Sequence, residues 1–427
     1  MKTATRVALG LALIGLPGVA LAAAPGTSAP ALLGAPVEFY LFGAMLLGVA
    51  LFHHHTLKVA LAGLATILAY QAVISGFPTG FGLSALARHL QHEWVILTNL
   101  MLLLVGFELL SNQFEQSNLP DHLPNLLPDT WLGGLALLAI VFVMSAFLDN
   151  IAAAVIGGVM ARHVYKGRVS IGFLAAIVAS ANAGGAGSVI GDTTTTIMWL
   201  NGISPLTVLP AYIASAVAFA VVGPFGALAQ HRFQPITAHD EPGHPLQWRR
   251  IGVVAFILIS AVAANIAANS LTDGEAIAPW LGLAIWAALL VTSIIAKPDW
   301  SRALPAAKGA LFLVSLVAAA SLMPVDSLPT PSWQSTFGLG FLSSVFDNIP
   351  LTALALEQGG YDWALLAFAV GFGGSMVWFG SSAGVALTTL YPEGRSVFAW
   401  LKAGWFVPVG YVAGFFALWL TLGWNPG

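Results

Sequence analysis

The sequence predicts an all-α polytopic membrane protein: about 10-11 transmembrane helices plus two re-entrant hairpins, in two inverted-topology repeats with broken helices at the midplane. Three observations carry this expectation. Only 8% of the residues are charged and 58% are hydrophobic, whereas a soluble domain carries about 25% charged residues. Apolar runs long enough to cross a hydrocarbon core of about 30 Å recur along the chain. An Asp-Asn-Ile motif stands inside a long apolar segment in each half, at Asp149-Asn150-Ile151 and Asp347-Asn348-Ile349. The mean hydropathy of +0.86 agrees. A net charge of -3 gives no footprint for a nucleic-acid partner, and the lack of cysteine excludes disulfides and thiolate metal sites.

Residues 1–24 place Lys2 and Arg6 before an apolar stretch from Val7 to Leu21, with Ala20-Leu21-Ala22 at its end. This fits a signal peptide, and equally a short first transmembrane helix with its basic end inside. Either way the next segment starts outside. Hydropathy and the Lys/Arg bias of the loops then set spans and orientation. The N-terminal repeat covers residues 31–229. Leu32–Phe52 crosses inward, and Leu57–Phe77 crosses outward. Gly82–Gln91 lies on the outer surface as an amphipathic stretch. Trp94–Leu110 crosses inward, and a Pro-rich loop runs to Thr130. Glu38 and Glu108, near helix ends, read as interfacial carboxylates. His53-His54-His55 reads as a solvated cytoplasmic turn rather than a metal or pH-sensing site.

Residues 131–163 are too long for one straight span. A single helix over them would measure about 50 Å, roughly 20 Å beyond the hydrocarbon core. Asp149-Asn150 is the one strongly polar pair in the run. A helix that enters, breaks there and returns accounts for both facts, provided its tip is buried in protein or lines a cavity. Residues 169–200 are also too long and carry Gly184, Gly185, Gly187 and Gly191 at their centre. Each glycine costs a helix up to about 1 kcal/mol relative to alanine, which predicts a second broken helix. Ile203–Ala229 returns inward to a cytoplasmic linker, residues 230–250.

The C-terminal repeat, residues 251–427, retraces this order. Ile251–Asn269 goes outward to a loop with Asp273 and Glu275, and Pro279–Ala296 comes inward to Lys297, Arg302 and Lys308. Leu311–Met323 with its flanks goes outward. A hairpin over 332–358 enters from outside, a broken helix covers 361–391, and Val397–Trp424 ends the chain. Gly184-Gly185 is followed by Gly191-Asp192, and Gly373-Gly374 is followed at the same interval by Gly380-Ser381. Two ordered motifs in opposite orientations are the signature of an inverted repeat, whose substrate site lies at the broken helices.

A carboxylate near the bilayer centre costs about 2.5–3.5 kcal/mol on insertion scales. Asp149, Asp192 and Asp347 therefore each need a partner or a purpose. The plain alternative is helix capping or packing. Three in broken or glycine-rich segments favour a functional reading. The first half offers oxygen ligands at Ser145, Asp149, Asn150, Ser188, Asp192, Thr193, Thr194, Thr195 and Thr196. The second offers Ser343, Ser344, Asp347, Asn348, Ser375, Ser381 and Ser382, and neither set holds Lys or Arg. Helical geometry turns only two of the four threonine hydroxyls toward one side. Asn182 reads either as facing the site or as a core hydrogen-bonding group, and Gly191 and Gly380 as supports. An oxygen-only set suits a hard monovalent cation. Carboxylates also take protons, so metal ion and H+ compete for the same oxygens. That is the requirement for exchange of Na+ or Li+ against H+ by alternating access. The competing class is a sodium-coupled symporter of a small anion such as a dicarboxylate, sulfate or arsenite, which carboxylates at both tips disfavour. No metal-ligand cluster, nucleophile–base pair or phosphate-binding loop points to an enzyme, and no cofactor is expected.

Phe147-Leu148-Asp149-Asn150, the run from Gly191-Asp192-Thr193 to Trp199, and Ser344-Val345-Phe346-Asp347-Asn348-Ile349-Pro350 resemble NhaD-type sodium/proton antiporters of the ion transporter superfamily. That superfamily also holds arsenite pumps and divalent-anion/sodium symporters. The resemblance covers nearly all of the chain after about residue 30. It implies a multi-pass protein of the bacterial inner membrane, usually a homodimer, with Na+ held at Asp149, Asn150 and Asp192 and at Asp347 and Asn348. Related symporters carry Ser-Asn-Thr at the hairpin tips, so Asp-Asn here adds a titratable group. The second loop departs from the pattern, with Ser381-Ser382 where the first has Asp192-Thr193, which implies two unequal sites.

Overall fold

The computed structural model describes residues 31–427 apart from 33–34, 53–54, 78–79, 120–126, 237–244 and 272–277. The segment 1–24, His53 and His54, the middle of the 230–250 linker and the loop with Asp273 and Glu275 lie outside the described residues. The described chain is predominantly helical, with one short antiparallel pair, Ala31–Leu32 against Ala35–Pro36.

In order, α1 is Val37–Leu51, α2 Thr56–Tyr70 with a π turn to Ser75, and α3 Leu83–Glu115. Then come α4 Trp131–Ser145, α5 Asn150–Val164, α6 Ile171–Gly185, α7 Thr193–Leu200, a short α8 Pro205–Val208 and α9 Ala211–Phe233. The second half holds α10 Trp248–Leu271, α11 Trp280–Thr292, α12 Ala303–Ala320, α13 Trp333–Ser343, α14 Asn348–Gln358, α15 Trp363–Gly373, α16 Ser382–Leu390, α17 Val397–Ala403 and α18 Phe406–Leu422. Among the described residues, four segments can cross a membrane by length and composition: 56–75, 83–115, 205–233 and 300–320. The bent pair α17–α18 makes a fifth. Several apolar helices of 13 to 15 residues complete the set; at 1.5 Å per residue the longest of these reach about 22 Å, short of a full crossing.

Four interruptions separate the helices that carry the Asp-Asn pairs and the glycine runs. α4 and α5 are separated at residues 146–149, α6 and α7 at 186–192, α13 and α14 at 344–347, and α15 and α16 beyond the 3-10 turn Gly374–Met376. Three expectations are corrected. The surface stretch Gly82–Gln91 and the span Trp94–Leu110 form one helix, α3, which also takes in residues assigned to the following loop. No Gly or Pro interrupts this run before Pro120 except Gly106, so nothing stops the helix. Val397–Trp424 is two helices bent by 63°: Gly404 closes α17, and Pro408 stands in the first turn of α18, where its missing N–H is tolerated. The linker is shorter than expected, because α9 runs to Phe233 and α10 begins at Trp248. Gln230, placed in that linker, is buried in α9 and bonds Ser170 N and Arg168 O.

The two helices that precede the glycine breaks form the centre of the molecule. α15 is buried along its whole length, and α6 everywhere beyond its first residue, as a helix apolar on every face must be. Around them, α4 packs on α6, α13 on α15, and α9 on α18. α5 packs on α16, and α14 on α7, so each helix after a glycine break leans on the helix after the Asp-Asn pair of the other half. A second group, α1, α2, α3, α10, α11 and α12, packs alongside, with α12 touching α14.

Candidate functional site

Each site residue is held by a helix start. Asp149 and Asp347 are the N-caps of α5 and α14, with matching backbone angles: φ -53, ψ 139 and φ -54, ψ 145. Asp192 and Ser381 cap α7 and α16 with φ -144, ψ 136 and φ -138, ψ 152. Short polar side chains are favoured there because they satisfy the free N–H groups of the first turn. Asp192 Oδ1 accepts from Thr194 N at 3.1 Å, and Asp347 Oδ1 from Ile349 N at 3.1 Å. Asp149 makes no side-chain cap bond of that geometry, although the N–H groups of Asn150 and Ile151 face its carboxylate.

The glycines let the breaks close. A Cβ on Gly184 would collide with the Phe142 carbonyl oxygen, and one on Gly191 with the Ser145 carbonyl oxygen. In the other half, Gly373 lies against the Gly340 carbonyl and Gly380 against that of Ser344. Only a residue without Cβ permits this approach of broken helix to hairpin. It also brings Asn150 N to Gly191 O at 3.1 Å.

Side-chain bonds tie the two halves together. Asn150 Nδ2 donates to Asn182 Oδ1 at 3.1 Å, and Asn182 Nδ2 donates to Ser375 Oγ at 2.9 Å. Asn348 Nδ2 lies 2.7 Å from Thr194 Oγ1 and 3.3 Å from Asp192 Oδ1. Ser382 Oγ donates to Asp347 Oδ2 at 3.0 Å. Asp149 and Asp347 are each in electrostatic range of Asp192. Among the described residues, Asp149 Oδ1, Asp192 Oδ2 and Ser145 Oγ are buried with no hydrogen-bond partner. Buried acceptors without donors are rare in folded proteins.

Other named residues serve the backbone. Ser188 Oγ donates to Ala146 O and accepts from Ile190 N and Gly191 N. Thr195 and Thr196 hydroxyls bond the carbonyls of Ser188, Val189 and Asp192. Of the threonine run, Thr194 is the one whose hydroxyl meets the other half; Thr193 starts α7. Ser343 Oγ donates to Val370 O, Ser344 Oγ to Phe341 O, and Ser381 Oγ accepts from Gly384 N. Glu108 pairs with Arg302 at 3.4 Å, and Arg302 also reaches Glu115 at 3.1 Å. One contributor was missed, and one carboxylate away from the breaks was misread. Gly371 lies where a Cβ would come 2.9 Å from Asp192 Oδ2, so its bare Cα leaves room at that oxygen. Glu38, read as interfacial, is only 2% exposed, because its neighbours close over the first turn of α1. A cavity of about 300 Å³ reaches Asp347 and Ser382, walled by Ile151, Phe346, Phe379 and Thr56 among others.

No family model matches the chain. Curated relatives do. The chain is 27% identical to sodium/proton antiporter 1 of Arabidopsis thaliana, over 69% of this chain and 56% of that protein. It is 28% identical to sodium/proton antiporter 2 of the same plant, over 66% of this chain and 74% of the relative. It is 25% identical to the Na(+)/H(+) antiporter NhaD of Vibrio parahaemolyticus, over 66% and 78%. The match thus spans little more than half the length of the first relative. The resemblance read from the motifs, to sodium/proton antiporters with NhaD among them, holds over about two thirds of this chain.

Proposed function

We propose that this chain exchanges Na+ or Li+ for H+ across a membrane by alternating access, with ion and proton competing for the carboxylates of Asp149, Asp192 and Asp347. The observation that carries this reading is the pair of buried carboxylate oxygens, Asp149 Oδ1 and Asp192 Oδ2, without a protein donor. An acceptor-only oxygen in an apolar interior is satisfied by a metal ion or by its own proton, which is the either-or choice that exchange needs. A cation seated there has Asn150, Thr194 and Asn348 as neutral oxygen donors close by, and the third carboxylate, Asp347, pairs with Ser382.

The α4–α5 and α13–α14 pairs act as re-entrant hairpins in two inverted repeats. Their limbs of 15 and 11 residues measure about 22 and 16 Å, too short to cross singly. Matching cap angles at Asp149 and Asp347, and the reciprocal packing of α5 on α16 and α14 on α7, support the repeat. The fixed site lies between the repeats, and rocking of one group of helices against the other exposes it to either face. Lys58, Arg162, Lys166, Arg168 and Arg302 mark the cytoplasmic face, and the cavity at Asp347 has Thr56, near Lys58, in its wall.

The test is proton flux in proteoliposomes holding the full chain. Na+ and Li+ added on one side should collapse an imposed pH gradient. A gradient left intact by both ions overturns the reading.

A further inference from the structure

A second cavity, of about 310 Å³, lies away from the helix breaks, and Glu38, Gln71, Ser75, Ser321, Asp326 and Glu357 are among its lining residues. It shares its walls with the cavity at Asp347, but at their opposite ends. α1 gives Glu38 here and Val49 there; α2 and its π turn give Gln71 here and Thr56 there. α12 contributes Ser321, just past its end, here and Phe312 there. α14 contributes Glu357 here and its N-cap Asp347 there. The two cavities therefore sit at opposite ends of one bundle.

The chemistry of this cavity is one-sided. Among the described residues its lining holds three carboxylates and no Lys, Arg or His, with His89 Nε2 bonding the lining hydroxyl of Ser321 from behind at 3.1 Å. Asp326 and Glu357 are exposed at its rim, while Glu38 and Gln71 are each 2% exposed. Gln71 Nε2 donates to Leu322 O at 2.6 Å. A carbonyl only accepts, so this bond fixes the amide and leaves Oε1 as the free end. Gln71 Oε1 and Glu38 Oε2 are both buried without a hydrogen-bond partner. Two buried acceptor oxygens in one pocket beneath an acidic rim, with the unpartnered hydroxyl of Tyr70 in electrostatic range of Glu38 as a further oxygen, fit a cation. A single buried carboxylate balances one charge, whereas divalent ions recruit several. At about 30 Å³ per water, the space holds an ion with part of its hydration shell.

We propose that this cavity is a second site for a monovalent alkali cation, an antechamber on the face away from the basic loops, with Glu38 and Gln71 as its ligands. Asp326 and Glu357 concentrate cations at its mouth. The choice of Na+ or Li+ as occupant rests on the exchange reading. The cavity as a cation site does not.

Two measurements test it. In membrane vesicles of both orientations, Glu38→Gln should raise the apparent KM for Na+ presented from the outer face at least five-fold more than from the inner face, and Glu38→Asp should restore most of the loss. An equal shift from both faces, or none, overturns the antechamber. In purified full-length protein carrying Asp149→Asn, Asp192→Asn and Asp347→Asn together, NaCl should still raise the melting temperature over choline chloride at equal ionic strength, because an ion that binds only the folded state stabilises it. Adding Glu38→Gln should abolish that rise. A rise that survives Glu38→Gln, or no rise in its absence, overturns the cavity as a cation site. The melting assay scores the cavity even if the vesicles show no Na+-driven proton flux, so the two readings fail separately.

Discussion

Asn348 Nδ2 stands 3.3 Å from Asp192 Oδ1 and 2.7 Å from Thr194 Oγ1, so an amide at the start of α14 holds the carboxylate at the break of the other half. This contact does two things. It leaves Asp192 Oδ2 as the oxygen without a partner, and it couples the positions of α14 and α7. Asn348→Ala removes the amide and leaves a neutral, smaller residue. Exchange should fall at least ten-fold with expression retained, measured as Na+-induced relaxation of a pH gradient. Asn348→Asp should be worse, because it sets two like charges side by side.

Asp149 and Asp347 share a backbone conformation but not a bonding state. Asp347 caps α14 and accepts from Ser382, while Asp149 only faces the first N–H groups of α5 and has one oxygen without a partner. Asp149→Asn should therefore reduce exchange to the level of empty liposomes with little change in melting temperature. Asp347→Ala should cost both activity and about 0.5–2 kcal/mol of stability, the range for a lost N-cap, whereas Asp347→Asn keeps a capping oxygen and should cost activity alone. Ser382→Ala removes a hydrogen bond to a charged group, worth about 1.5–3 kcal/mol, and should raise the KM for Na+ roughly ten-fold. Initial rates across a Na+ series check each variant.

Much of this was legible in the sequence. The break positions follow from the length of apolar runs against the bilayer and from glycines and Asp-Asn pairs inside them. Residues 146–149 and 186–192 are non-helical as those arguments require. What was not legible is contact between distant segments. Asn182 sits 193 positions from Ser375 and bonds it, and no local pattern distinguishes that from ordinary core bonding. Glu38 lies in the first turn of its helix, where composition reads interfacial, yet packing buries it. The α3 boundary was misplaced because a mixed stretch, Gly82–Gln91, is compatible with both a surface helix and the start of a longer one.

Close approach at the breaks makes a steric prediction. Gly184→Ala and Gly373→Ala drive a methyl into the carbonyls of Phe142 and Gly340. Backbone cannot yield as a flexible side chain does, and overpacking of this kind costs about 1–3 kcal/mol. Both variants should melt lower in detergent. Gly252→Ala and Gly309→Ala meet nothing within 4 Å. Helical propensity should make them neutral or stabilising by up to about 1 kcal/mol.

Gly371 gives the sharpest separation of site from scaffold. It lies in α15, far in sequence from Asp192, and a Cβ there would approach Asp192 Oδ2 to 2.9 Å. The other atom near that Cβ is Ala186 Cβ at 3.9 Å, an ordinary contact. The added methyl thus crowds one oxygen and little else. If Asp192 Oδ2 is an ion ligand, Gly371→Ala should raise the apparent KM for Na+ about ten-fold while the melting temperature moves little. The smaller Li+ should suffer less, so the ratio of Li+ to Na+ affinity should rise. If the oxygen is only a packing group, the variant should lower the melting temperature and leave both KM values and their ratio as they were. Exchange assays in proteoliposomes with each ion, run beside thermal melts of the same preparations, decide between the two.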